Sequence, residues 1–269
     1  MSLNVGLKKI DYGFFDIDGT ITDDRGMISR TLLTEINKQP FLPIICTGRI
    51  IENSLKIWQK YNLSDIFYEK IICQDGNCIL DMKTMKYKII KNISMTSVYQ
   101  ILKTNEDIKD WIVLCPNTMI VSNKSAQLKF KMTYLATPKI IKKASVNTLF
   151  DLQVKEPVLA IYFFLDNENQ YKHLRIPDIV EKKMKVLNAI RIQPNVTKAT
   201  GSMYLLKSDF KKLDLEKVIS FGDAINDIEL LQESEISVCM DKAPKELIAL
   251  SDIHLKGVSL EEFFKRNDI

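Results

Sequence analysis

Apolar and polar positions follow two different rhythms along this chain of 269 residues. In the first eighty residues, short apolar runs at 9–16, 41–46 and 70–73 are separated by helical patterns near 29–38 and 49–61. Short apolar runs predict buried strands, and apolar positions recurring every three or four residues predict helices. The same alternation returns at the other end. Strands are predicted at 217–221 and 235–239 with a short run at 252–255, and helices at 224–233, 244–250 and near 259–265. Strands alternating with helices predict an α/β fold whose parallel sheet is covered on both faces.

The middle of the chain reads differently. Trp111 to Pro116 and Met119 to Asn123 predict a hairpin turning at Asn117-Thr118. Runs at 158–165 and 186–192 flank a stretch near 168–184 that reads as helical. An α+β segment is thus inserted into an α/β one. Asp81 and Pro194 interrupt the apolar runs, so the predicted domains are 1–80 with 194–269, and 81–193.

Charge follows the same division. Residues 81–193 hold 19 Lys and Arg against 10 Asp and Glu, a net of +9; the remainder holds 19 against 24, a net of −5. An acidic part suits a metal and a basic part suits an anion, although lysine-rich surfaces also serve solubility alone. No nucleic-acid motif or aromatic-rich basic stripe accompanies the positive charge, so nucleic acid is not an expected partner. No run approaches eighteen apolar residues, and Met1 to Lys9 lacks the apolar core of a signal peptide. The five cysteines are odd in number, and three end strand-like runs, which fits buried, reduced thiols in a cytoplasmic protein.

Several chemistries are disfavoured. His173 and His254 are the only histidines, too few for a cluster. Neither a phosphate-binding P-loop nor a dinucleotide fingerprint occurs. Only two residues separate Cys46 from Arg49, where the cysteine phosphatases have five, and Cys46 reads as core.

The candidate chemistry gathers where strands end, which is where open α/β sheets bind ligands. The first strand runs into Asp16-Ile17-Asp18-Gly19-Thr20. Side chains two apart on a strand share a face, so the two carboxylates repel unless a cation or a shared proton intervenes; a solvated turn is the alternative. The second strand leads to Thr47-Gly48-Arg49, the third to Asp75-Gly76-Asn77, and a later one to Gly222-Asp223-Ala224-Ile225-Asn226-Asp227. Each alone could be a cap or a turn. Together they set carboxylates, amides and a hydroxyl at neighbouring strand ends.

Asp16-x-Asp18-Gly19-Thr20, Thr47-Gly48-Arg49, Lys198 and Gly222-Asp223-x-x-Asn226-Asp227 resemble, in order and spacing, the four motifs of the haloacid dehalogenase (HAD) superfamily. The resemblance is greatest to the Cof-like phosphatases, which carry a large α/β cap between the second and third motifs. Met240 to Pro244, followed by Ser251-Asp252, also resembles that family's C-terminal pattern. The resemblance implies a Rossmann-like doubly wound HAD core with an inserted cap, and a Mg²⁺-dependent phosphatase acting on a small phosphorylated metabolite, with a sugar phosphate as the expected class. No membrane span is expected from the apolar runs, and no obligate protein partner is evident. Asp16 would be the nucleophile and Asp18 the acid/base. Asp16, Asp223 and the backbone carbonyl of Asp18 would hold the metal, with Asp227 close by through water. Thr47, Gly48, Lys198 and Asn226 would bind the phosphoryl group. Lys124, Lys129, Lys131 and Tyr134 in the insertion are candidates for the organic part of the substrate.

Three positions depart from the pattern: Asp75 stands where Asn is frequent, Ala199 where Gly is common, and Lys242 where Asn is frequent. They bear on the lining of the pocket, not on the catalytic groups. A phosphomutase of the same fold is an alternative that Thr47-Gly48-Arg49 disfavours. A catalytically silent phospho-ligand-binding domain would be expected to lack Asp16 or Asp18, and both are present.

Overall fold

The computed structural model of the chain describes residues 10–134, 136–184 and 187–266. The expectation for residues 1–9, and residue 186 of the expected run 186–192, lie outside them. Contacts divide the chain into two compact units, Met1–Lys88 with Val196–Ile269, and Ile89–Asn195.

The first unit opens with β1 (Tyr12–Phe15), α1 (Arg30–Asn37), β2 (Leu42–Ile45) and α2 (Ile51–Tyr61). Ser29 caps α1 by accepting from the Leu32 amide, and Asn62, in the left-handed region at φ 51°, ends α2. A three-stranded sheet follows, formed in chain order by β3 (Lys70–Cys73), β4 (Cys78–Asp81) and β5 (Tyr87–Ile89). The sequence puts the domain boundary near 80. In the structure the chain changes unit at 88, because β4 pairs antiparallel with β3 and β5 continues that sheet.

The second unit contains α3 (Met95–Thr104), β6 (Asp110–Leu114), β7 (Thr118–Val121), α4 (Lys124–Tyr134), β8 (Ile140–Lys143), β9 (Ala160–Phe164), β10 (Ile179–Met184) and β11 (Ala189–Pro194). Its sheet runs β10-β11-β9-β6-β7-β8, antiparallel except for the parallel β7–β8 pair. Trp111, Val113, Ile161 and Phe163 face one core with α3; on the other face Phe130 of α4 meets Tyr162 edge-on at 5.2 Å. The helix expected over 168–184 is not formed. Only a short turn at Glu168–Gln170 is helical, and β10 occupies 179–184. Pro177 disfavours helical backbone at the residue before it, and Ile179–Met184 instead pairs with β11 as an edge strand.

The chain re-enters the first unit through α5 (Lys198–Leu205), β12 (Val218–Gly222), α6 (Ile228–Glu233), β13 (Ile236–Cys239), α7 (Lys245–Leu250), β14 (Ile253–His254) and α8 (Leu260–Arg266). Among the described residues, the main sheet here is five-stranded, ordered β14-β13-β12-β1-β2 and parallel throughout. β1 is buried on both faces. Phe14 packs with Ile44, Leu205 and Leu230, while Phe15 stacks on Phe221 at 4.5 Å and meets Phe67 edge-on. Burial on both sides is why β1 reads as a continuous apolar run. All five cysteines are buried free thiols, and burial raises Cys46 to about 12. No helix among the described residues is long and apolar enough to cross a membrane.

Candidate active site

Parallel register brings the strand ends to one edge. Phe15 lies opposite both Phe221 and Ile45, so Asp16, Thr47 and Asp223 emerge side by side. The ladder extends one residue beyond the strands: Asp16 N donates to Phe221 O at 3.1 Å and Cys46 N to Phe15 O at 2.8 Å. Asp16 therefore springs from hydrogen-bonded backbone. The chain then turns over Ile17–Ile21, with Asp18 extended and Gly19 left-handed, and the turn is closed by Thr22, whose Oγ1 accepts from Gly19 N and donates to Ile17 O. Gly19 has φ 79°, and a Cβ there would fall 2.2 Å from Asp223 Oδ2. Only glycine lets this turn press against Asp223.

Lys198 begins α5 and is fully buried. Its Nζ donates to Asp16 Oδ1 at 2.6 Å and to Asp227 Oδ1 at 2.5 Å. Burial alone would strip its proton, but Asp16 and Asp227 outweigh that and hold the ammonium well above its ordinary value. The lysine is delivered by close packing. Gly76, at φ 96°, lies so near the start of α5 that a Cβ would meet Thr197 O at 1.9 Å. Thr197 caps the helix by accepting from the Thr200 amide.

Three carboxylates converge here. Asp16, Asp223 and Asp227 can each bring one oxygen within 4.8 Å of the others. Burial lifts Asp16 to about 8 against the pull of Lys198, with Asp227 and Asp223 adding to the rise. Burial, then Asp227, lifts Asp223 to about 6. Asp227 already uses both oxygens: Oδ1 accepts from Lys198, and Oδ2 accepts from the amides of Asp223 and Ala224. Asp223 Oδ1, in contrast, is buried with no hydrogen-bond partner. An orphaned carboxylate oxygen among clustered anionic oxygens is the donor set a hard divalent cation such as Mg²⁺ fits.

The carboxylate of Asp18 stands apart from this group. Arg49 grips it bidentately, Nε to Oδ2 at 2.8 Å and a terminal nitrogen to Oδ1 at 2.6 Å, and the Asp18 side chain is 59% exposed. Arg49 is held above its ordinary value mainly by this pair. Thr47 is buried, its Oγ1 accepting from the Arg49 amide. Asn226 Nδ2 donates to Asp75 Oδ1 at 2.9 Å beside Gly48. The sequence quotes Arg49 and Asp75 within motifs but gives neither a task. Only the pairing across strand ends reveals one.

The insertion candidates all lie on α4. Lys124 and Lys131 are exposed. Lys129 is tied to Asp110 at 2.7 Å, and Tyr134 donates to the hydroxyl of Tyr162 at 3.2 Å, so both are committed to their own unit's packing. His173 pairs with Glu181, and His254 lies against the Asp241 carbonyl.

Residues 14–258 match the family model for haloacid dehalogenase-like hydrolases. Among solved structures, a protein from Thermotoga maritima superposes with a TM-score of 0.76 at 18% identity, covering 96% of this chain and 97% of its own. A haloacid dehalogenase-like hydrolase from Bacteroides thetaiotaomicron gives 0.73 at 16% identity, covering 96% and 99%. A HAD subclass IIB sugar phosphatase gives 0.69 at 21% identity, covering 95% and 96%. These likenesses show a shared fold. No curated protein sequence gives a significant match.

Proposed function

Because the chain belongs to the haloacid dehalogenase-like hydrolase family, we propose that it is a Mg²⁺-dependent phosphatase acting on a small phosphorylated metabolite, with a sugar phosphate as the favoured class. The observation that carries this reading is the buried Lys198 bridging Asp16 and Asp227 beside the unsatisfied oxygen of Asp223. A carboxylate nucleophile and a phosphate are both anions, so a site that joins them needs fixed positive charge. The sugar phosphatase of shared fold supports the substrate class.

In this reading Asp16 attacks phosphorus, forming an aspartyl-phosphate as the bond to the leaving oxygen breaks. Asp18 gives that oxygen a proton, then takes one from the water that cleaves the aspartyl-phosphate, releasing phosphate and restoring Asp16. To do so its side chain must leave the guanidinium of Arg49, take up a proton from solvent, and turn to the leaving oxygen as a carboxylic acid. Lys198, Thr47, the Gly48 amide and Asn226 hold the phosphoryl oxygens. Asp16 and Asp223 would hold the Mg²⁺ with the Asp18 backbone carbonyl, while Asp227 secures Lys198 and the loop. The bound cation supplies charge neutralisation between nucleophile and phosphate. The inserted unit, Ile89–Asn195, would act as a cap that selects the leaving group, since the core motifs address only the phosphoryl group that all substrates share.

The test is phosphate release from para-nitrophenyl phosphate and a panel of sugar phosphates. Turnover should require Mg²⁺, vanish with a chelator, and be lost in Asp16→Asn. Full activity in the chelator, or in that variant, would sink the mechanism.

A further inference from the structure

Granted the phosphatase reading above, we propose that Asp75 is a positioning residue that aims the amide of Asn226 at the phosphoryl group. Asn226 Nδ2 donates to Asp75 Oδ1 at 2.9 Å, and Asp75 is only 5% exposed. A carboxylate only accepts, so the NH₂ end of Asn226 must face it. The second N–H of that same group is then left to donate to an anion. A partner that could also donate would let the amide turn over and present its carbonyl oxygen, which a phosphate repels.

The backbone around Asp75 is built to hold it there. Gln74, Asp75 and Gly76 are consecutive left-handed residues, at φ 55°, 53° and 96°. Such backbone is disfavoured for side chains other than Gly, Asn and Asp, and it persists where surrounding bonds impose it. Here Gln74 N donates to Arg49 O at 2.9 Å and Asp75 N to Thr47 O at 3.2 Å. Gly48 leaves room for the pair: a Cβ there would lie 2.6 Å from Asp75 Oδ1 and 3.1 Å from Asn226 Nδ2. The turn after β3, the end of β2 and the loop after β12 are thus locked together through Asp75.

The sign of one substitution separates aiming from simple electrostatics. A buried carboxylate near a phosphate repels it, so charge alone predicts that Asp75→Asn binds phosphate more tightly. Aiming predicts weaker binding. Asn accepts left-handed backbone, so the turn survives the change.

Inorganic phosphate is titrated calorimetrically, in Mg²⁺, into wild type, Asp75→Asn, Asn226→Ala and the double variant, with kcat and KM measured in parallel. Asp75→Asn should weaken phosphate by about fivefold to tenfold, with little further loss in the Asn226→Ala background. Unchanged or tighter phosphate binding in Asp75→Asn would overturn the proposal. So would an equal loss in the Asn226→Ala background. Absence of turnover by the wild type would remove the phosphatase reading, while the phosphate titrations would still decide the role of Asp75.

Discussion

Asp16→Asn should make the metal-free protein more stable while abolishing its activity. Asp16 is buried, and its carboxyl rises from 3.8 to about 8 in the folded chain. A carboxyl whose folded value lies above its unfolded one holds its proton more tightly when folded. The folded state is therefore penalised as pH rises from 3.8, and the penalty levels off near 8. About 4 pH units at about 1.4 kcal/mol each set a ceiling of about 6 kcal/mol, of which about 4 is present at pH 7. Asparagine removes the charge and keeps an acceptor for Lys198, but its NH₂ lacks a matched partner, a cost of about 1–3 kcal/mol. The net expectation is a gain of about 3 kcal/mol at pH 8, or roughly 6–12 °C in the thermal midpoint of a domain this size. The gain should shrink as pH falls, vanish at about pH 5 where the penalty equals the cost of the unmatched NH₂, and become a small loss by pH 4. The assay is urea unfolding from pH 4 to 8 with a chelator present, followed by phosphatase measurements in Mg²⁺. A variant no more stable than wild type at pH 8, or a gap that ignores pH, would refute the idea that this site stores unfavourable charge for its chemistry.

Asp223→Ala removes the one unsatisfied buried oxygen of the cluster and should raise the Mg²⁺ concentration for half-maximal activity at least tenfold, read from a metal titration. Gly76→Ala forces a Cβ to within 1.9 Å of Thr197 O at φ 96°; urea unfolding should show a loss above about 2 kcal/mol, and a smaller loss would mean the turn can retreat from α5. Lys129→Met should lower the thermal midpoint slightly without changing substrate preference, because its ammonium serves Asp110. Lys124→Ala and Lys131→Ala should leave stability alone and shift preference among sugar phosphates, and equal losses on every substrate would remove these two from the specificity surface.

The residues that were legible in the sequence are those whose environment is local. β1 announces itself because a strand buried on both faces must be apolar throughout, and its end is marked by the aspartates. The Asp223 loop is legible for the same reason. α4 is not, since only Ala126 and Phe130 of its eleven residues are buried while Leu128 and Met132 are exposed. That leaves too thin an apolar stripe to reveal a helix. β10 was hidden by its edge position, which tolerates the Glu and Lys residues that read as helical. Lys198 looks like any surface lysine until α5 is seen packed against the turn at Gly76. The tasks of Arg49 and Asp75 depend on side chains meeting across strand ends, which spacing along the chain does not encode.

Lys198 and Asp16 are 182 residues apart in sequence, and Asn226 and Asp75 are 151 apart. A whole second unit is inserted between them, yet the pairs close within the first unit. The points of departure and return explain how. The chain leaves at Lys88, within β5 of the β3-β4-β5 sheet, and it returns at Val196, just before α5. The start of α5 is in turn packed against Gly76, in the turn that joins β3 to β4. Exit and re-entry are therefore both tied to one hairpin, and close ends are the condition under which an insertion leaves its host fold intact. The same contact sets the depth of Lys198, and the same turn carries Asp75. The insertion point and the proposed phosphoryl site consequently share one support, so the turn at Gly76, within the first unit itself, sets where Lys198 and Asp75 stand.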